Sequence, residues 1–150
     1  MREPLQGIAG RSGTLTYECA SATSAAGLGQ SYVFGLGGDL FPGTTTLEAL
    51  QFLLDDPETE GIIIAGEIGG DMEIQVAKWL RQNPKKAHSK PIAAMIVGRA
   101  APQNRIMGHA GSYWELPEET ADYKRKVLEE AGVAILNTPE QLARNMKVSA

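Results

Sequence analysis

Apolar residues in this chain fall into short unbroken runs, separated by stretches in which they recur every three or four positions. Two runs are apolar throughout, Gly61-Ile62-Ile63-Ile64-Ala65 and Pro91-Ile92-Ala93-Ala94-Met95-Ile96-Val97. Continuous apolarity of this kind marks a strand covered on both faces of a parallel sheet. Weaker runs at Gly7-Ile8-Ala9, Tyr32-Val33-Phe34-Gly35-Leu36 and Val133-Ala134-Ile135-Leu136 predict three further strands. Between the runs the spacing turns helical. Leu47, Leu50, Leu53 and Leu54 share one face, and Met72, Val76, Trp79 and Leu80 another.

Local signals bound the helices. A first helix is predicted over 14–25. Thr45 and Glu48 form a capping box for the second, which Asp55-Asp56-Pro57 stops. After a long loop from Gly98 to about Pro117, a charged helix is predicted over 118–131, with Gly132 as its C-terminal glycine. Thr138-Pro139-Glu140-Gln141 opens the last helix with a cap and a proline at its first position, and this helix runs to about Lys147. Five successive strand–helix steps predict one α/β domain over 1–150. It is expected to be a flavodoxin-like, doubly wound parallel five-stranded sheet with helices on both faces, in the order 2-1-3-4-5. Ligands in such sheets bind beyond the carboxyl ends of the strands, near the switch in strand order. The loops after strands one, three and four therefore hold the candidate chemistry.

Composition acts mainly by exclusion. A net charge of −4 over 150 residues leaves no electrostatic footprint for nucleic acid or an anionic membrane. No apolar run approaches the roughly 20 residues needed to span a bilayer. The one cysteine, Cys19, rules out an internal disulfide and reads as a buried residue of the first helix. No apolar signal core follows Met1, so a soluble protein of a reducing compartment is expected, the cytoplasm or the mitochondrial matrix. No spacing suggests a metal site, and there is no P-loop. His88 reads as a solvated loop residue; Trp79 and Phe52 read as core.

Three loops remain as candidates. Arg11-Ser12-Gly13-Thr14 leads from the first strand into a helix, whose free first-turn N–H groups attract anions; the same residues also fit an ordinary capped turn. Glu67, in Gly66-Glu67-Ile68-Gly69-Gly70, is a carboxylate at the end of a buried strand. It would orient a histidine, act as a base, or cap the following helix. His109, in Gly108-His109-Ala110-Gly111, has an uncrowded ring. It reads as a nucleophile sharpened by a nearby carboxylate, or as a satisfied loop histidine. Considered jointly, the three suit phosphoryl transfer through phosphohistidine.

In order and spacing, four segments resemble the alpha subunit of succinate–CoA ligase. They are Arg11-Ser12-Gly13-Thr14-Leu15-Thr16-Tyr17-Glu18, Gly35-Leu36-Gly37-Gly38-Asp39, Gly66-Glu67-Ile68-Gly69-Gly70 and Met107-Gly108-His109-Ala110-Gly111. ATP citrate lyase shares this module. The resemblance covers nearly the whole chain and implies a ligase of the tricarboxylic acid cycle. It implies that His109 is the phosphorylated residue, that Glu67 hydrogen-bonds it, and that Ser12, Gly13 and Thr14 hold phosphate. In the family, a CoA-binding Rossmann domain precedes this one, and it is expected to be absent from this chain. The nucleotide site lies in a separate ATP-grasp beta subunit. The expected partners are therefore that beta subunit or a second copy of the chain, with a small-molecule substrate. No cofactor is expected in the chain itself; CoA, nucleotide and magnesium go with the missing domain and the partner.

One segment departs from the family. Ser112-Tyr113-Trp114-Glu115-Leu116-Pro117-Glu118-Glu119 stands where the ligases have a glycine-rich stretch with a lysine. This leaves two other readings. In one, His109 and Glu67 serve a small-molecule lyase, isomerase or hydrolase, with Tyr113 and Trp114 lining its pocket. In the other, the chain is a non-catalytic partner subunit.

Overall fold

The computed structural model describes residues 2–149. Its centre is a five-stranded parallel sheet in the order β2-β1-β3-β4-β5, the predicted flavodoxin-like arrangement. The strands are β1 (Leu5–Gly10), β2 (Gly29–Gly35), β3 (Gly61–Glu67), β4 (Ile92–Val97) and β5 (Ala134–Ile135). The helices are α1 (Gly13–Ala25), α2 (Thr46–Asp55), α3 (Met72–Gln82), the short α4 (Pro84–Ala87), α5 (Ala121–Glu130) and α6 (Pro139–Ser149).

Strand side chains alternate between the two faces, and each face has its own core. Ile62, Ile64, Ala94 and Ile96 pack with Leu50 and Leu53 of α2, Val76 and Leu80 of α3, and Leu128 of α5. Ile8, Ile63, Ala65, Ala93 and Met95 pack with Cys19 of α1 and with Leu142 and Met146 of α6. The three isoleucines of β3 are at most 1% exposed, and burying each stabilises the fold by about 1.5–3 kcal/mol. Burial pushes the Cys19 thiol up to about 11, helped by Glu18 and Glu140. The register ties the strand ends together: Gly10 lies beside Ala65, and Glu67 beside Val97.

Where the fold differs from the sequence pattern, local bonding gives the reason. β1 begins at Leu5 because Leu5 pairs with Gly29 of β2 and the buried Gln6 with Gly61 of β3. β2 ends at Gly35, although the Leu36 N–H still donates to the Gly10 carbonyl at 2.8 Å. The charged helix predicted over 118–131 is broken. Pro117–Glu119 forms a 3-10 turn, and Thr120, whose hydroxyl accepts from the Tyr123 N–H, starts α5 afresh. Phe52 is not core. It is 47% exposed and meets Tyr32 and Phe34 edge-on, with ring centroids 5.0 and 5.5 Å away. It joins an aromatic cluster with Tyr32 and Phe34 of the edge strand β2, which stripe spacing does not separate from the core face.

Candidate active site

Glu67 is the last residue of β3 and is only 4% exposed. Both its oxygens face one atom: His109 Nδ1 lies 3.0 Å from Oε1 and 2.9 Å from Oε2. A carboxylate only accepts, so Nδ1 carries the hydrogen and donates it. In the neutral ring the lone pair is then on Nε2, which makes no hydrogen bond among the described residues. The His109 side chain is 35% exposed, so the ring is braced by Glu67 and still partly open to solvent.

Beneath this pair lies a buried charge cluster that the sequence reading did not find. Arg11, Glu73 and Lys124 are at most 2% exposed. Arg11 donates from Nη1 to Glu73 Oε1 at 3.1 Å and to the Gly69 carbonyl at 3.0 Å. Lys124 Nζ donates to Glu73 Oε2 at 2.7 Å and to the carbonyls of Glu67 and Gly69 at 2.9 and 2.6 Å. Three acceptors use all three N–H groups of an ammonium, so the geometry is that of a charged lysine. Burial pushes the Glu73 carboxyl up, but Lys124 and Arg11 outweigh it and hold the group below its usual value. A signal was present in the sequence. Glu73 shares the buried face of α3 with Val76, Ala77 and Leu80, and Lys124 shares that of α5 with Ala121 and Leu128. A charge on an apolar stripe requires a partner.

Glycines let the loops close over the cluster. Gly69 has φ +89°, and a Cβ there would lie 1.9 Å from the Gly111 carbonyl oxygen. A Cβ on Gly38 would lie 2.2 Å from His109 Cγ. The Gly111 N–H donates to the Gly38 carbonyl at 2.8 Å. The loops after β2, β3 and β4 thus meet at His109.

The other sequence candidates have definite places. Ser12 caps α1, its hydroxyl accepting from the Leu15 N–H at 3.4 Å. Gly13 and Thr14 are exposed in the first turn, and the space above Gly13 is open. Trp114 is partly buried against the core and donates from Nε1 to the Ala101 carbonyl at 2.9 Å. Tyr113 donates from its hydroxyl to Asn104 Oδ1 at 3.0 Å. A cavity of about 410 Å³ adjoins Glu67, bounded by Val97, Arg99, Ala101, Met107 and Ser112, without Tyr113 or Trp114. In the acidic segment, the Glu119 carboxylate accepts from the N–H groups of Glu115 and Leu116, which hold its pKa down. Among the described residues no group of three or more His, Cys, Asp or Glu side chains is placed to hold a metal. None of the described helices is long and apolar enough to cross a membrane.

A doubly wound sheet with a carboxylate-braced histidine on the loop beyond β4 defines an α/β domain that holds an imidazole–carboxylate pair at its carboxyl edge. The chain belongs to the CoA-ligase family, whose model matches residues 10–134. It is 47% identical over 138 residues to succinate–CoA ligase [ADP-forming] subunit alpha-2, mitochondrial, of Trichomonas vaginalis, covering 92% of this chain and 44% of that one. The corresponding alpha subunit of Methanothermobacter thermautotrophicus is 41% identical over 141 residues, covering 94% and 46%. Among solved structures, ATP citrate lyase from Methanothrix soehngenii in complex with citrate and coenzyme A matches with a TM-score of 0.86 at 26% identity, over 97% of this chain and 24% of that one. The domain is therefore a CoA-ligase domain like that of succinate–CoA ligase alpha subunits, and it spans about half the length of those relatives.

Proposed function

We propose that the chain is the phosphohistidine domain of an acid–CoA ligase of the succinate–CoA ligase type, relaying phosphate between a nucleotide and an acyl phosphate through His109. The observation that supports this best is the grip of both Glu67 oxygens on Nδ1. It leaves Nε2 as the nucleophile and sets a negative charge where the ring becomes positive. Nε2 attacks the phosphorus of the donor, and an N–P bond forms. The P–O bond to the leaving group breaks, and its electron pair goes with the donor oxygen. The Nδ1 proton stays on the ring, facing Glu67. In the second half, a carboxylate oxygen of the acid attacks phosphorus, and the N–P electron pair returns to Nε2.

Gly13, Thr14 and the Ser12 cap at the open start of α1 supply N–H groups that suit a phosphate. CoA, the nucleotide and its magnesium belong to the preceding domain and to an ATP-grasp beta subunit. A location in the cytoplasm or mitochondrial matrix goes with this reading. One relative carries "mitochondrial" in its name.

The test is phosphate labelling of the purified chain from an acyl phosphate, and from a nucleoside triphosphate with a family beta subunit. The expected label is acid-labile and vanishes in His109→Asn. Glu67→Gln keeps an acceptor but removes the charge, and should slow labelling by roughly 10- to 100-fold. A well-folded wild-type chain that takes no label from either source would exclude the reading.

A further inference from the structure

Among the described residues, Arg11 is the one cation that touches the Glu67 carboxylate. Its Nη2 lies 3.5 Å from Glu67 Oε1 and donates to the Gly111 carbonyl at 3.3 Å, just past His109 on the same loop. Lys124 reaches Glu67 only through the main-chain carbonyl, and its charge faces Glu73. The Arg11 Nε is buried without a partner among the described residues. The side chain is therefore held at its far end, by the groups the site needs in place. Arg11 and Lys124 set two cations against the carboxylates of Glu67 and Glu73.

We propose that Arg11 is a positioning residue of the histidine site. Its guanidinium keeps the Glu67 carboxylate turned toward His109 Nδ1 and ties down the His109 loop through Gly111, so it fixes which ring nitrogen is the nucleophile. A planar fork is needed for this. Nη2 serves Glu67 and Gly111 while Nη1 serves Glu73 and Gly69, and a single ammonium cannot reach both sides. Without Arg11 the carboxylate is free to turn away, and the neutral ring can place its hydrogen on either nitrogen. The consequence for phosphorylation rests on the phosphohistidine reading; the consequence for the ring's tautomer does not.

The experiment compares ring-nitrogen NMR spectra of His109, assigned through His109→Asn, with the position of label on the ring read by phosphorus NMR. The wild type is expected to hold a single Nδ1–H tautomer and to carry label on Nε2. The double variant R11M/E73Q removes one buried cation and one buried anion, so the charge balance that supports the fold is kept. In it the ring is expected to mix tautomers. Labelling should slow by roughly tenfold or more, with part of the label on Nδ1. A merely structural role would lower the yield of folded protein without moving label between nitrogens. Wild-type tautomer and Nε2-only label in folded R11M/E73Q would overturn the proposal. If that variant does not fold, R11K decides: a mixed tautomer supports the fork, and a wild-type spectrum overturns it. A wild type that takes no label defeats the phosphohistidine reading alone, since the tautomer comparison still judges Arg11.

Discussion

Glu73 makes no contact with His109, yet it should set the acid limit of the fold. Its carboxyl is held below the ordinary 4.5, because Lys124 and Arg11 outweigh the burial that pushes it up. A native-state value below the unfolded one gives stability that is complete above the unfolded value and is lost as pH falls through the native one. Urea midpoints should therefore stay level from neutrality down to about pH 5 and then fall. Glu73→Gln should flatten that fall and cost about 3–5 kcal/mol at neutral pH, because two buried cations would then face one carboxylate. An unchanged acid slope would remove Glu73 as its origin. The other carboxyls held low, Glu48, Asp56 and Glu119, lie near the surface and should contribute little. At this scale Glu67 and His109 were readable in the sequence because glycines flank them. Glu73 and Lys124 were not. Each interrupts the apolar stripe of its own helix, and the partner that explains it is 51 positions away.

At the scale of elements, helix ends obey local rules and loops do not. The Thr45–Glu48 capping box was predicted and is present, with the Glu48 carboxylate accepting from the Thr45 N–H at 2.8 Å. At the last helix, Gln141 accepts from the N–H of Asn137, one residue before the capping Thr138. The meeting of three loops at His109 needs tertiary contacts that no local signal contains. Two substitutions separate these cases. Thr45→Ala should lower stability by about 1 kcal/mol and leave labelling of His109 unchanged, as urea midpoints and labelling rates together would show. Gly38→Ala should do the reverse. Its Cβ would fall 2.2 Å from His109 Cγ, so the loop must move, and a displacement near 1 Å at a reacting group slows reaction by roughly 100-fold. A Gly38→Ala protein that labels at the wild-type rate would show that the ring's place tolerates the shift.

The whole molecule explains why these loops and not others hold the site. In the order β2-β1-β3-β4-β5 the connections from β1 and β3 leave toward opposite faces of the sheet. Such a switch opens a crevice at the carboxyl ends, and Glu67 sits beside it with His109 above. The strand order was expected from five strand–helix steps in a doubly wound sheet; the strength of the apolar runs does not give it by itself, because the weak run of β1 lies inside the sheet between β2 and β3. The same placement bears on the proposed phosphate relay. His109 stands on a loop at the rim with its side chain 35% exposed, and the start of α1 is open above Gly13. The pair is therefore open to approach from outside the domain, as the proposed relay from a donor on a partner subunit requires. The relatives that match nearly the whole chain are named as alpha subunits. A nucleoside triphosphate should then label His109 efficiently only when an ATP-grasp beta subunit is added. A small acyl phosphate should label it slowly without one, by direct approach to Nε2. Labelling rates with and without the added subunit, each checked against His109→Asn, measure the difference. Equal rates from the triphosphate in both cases would mean that this domain binds the nucleotide itself, and the division of labour would have to be redrawn around the cavity beside Glu67.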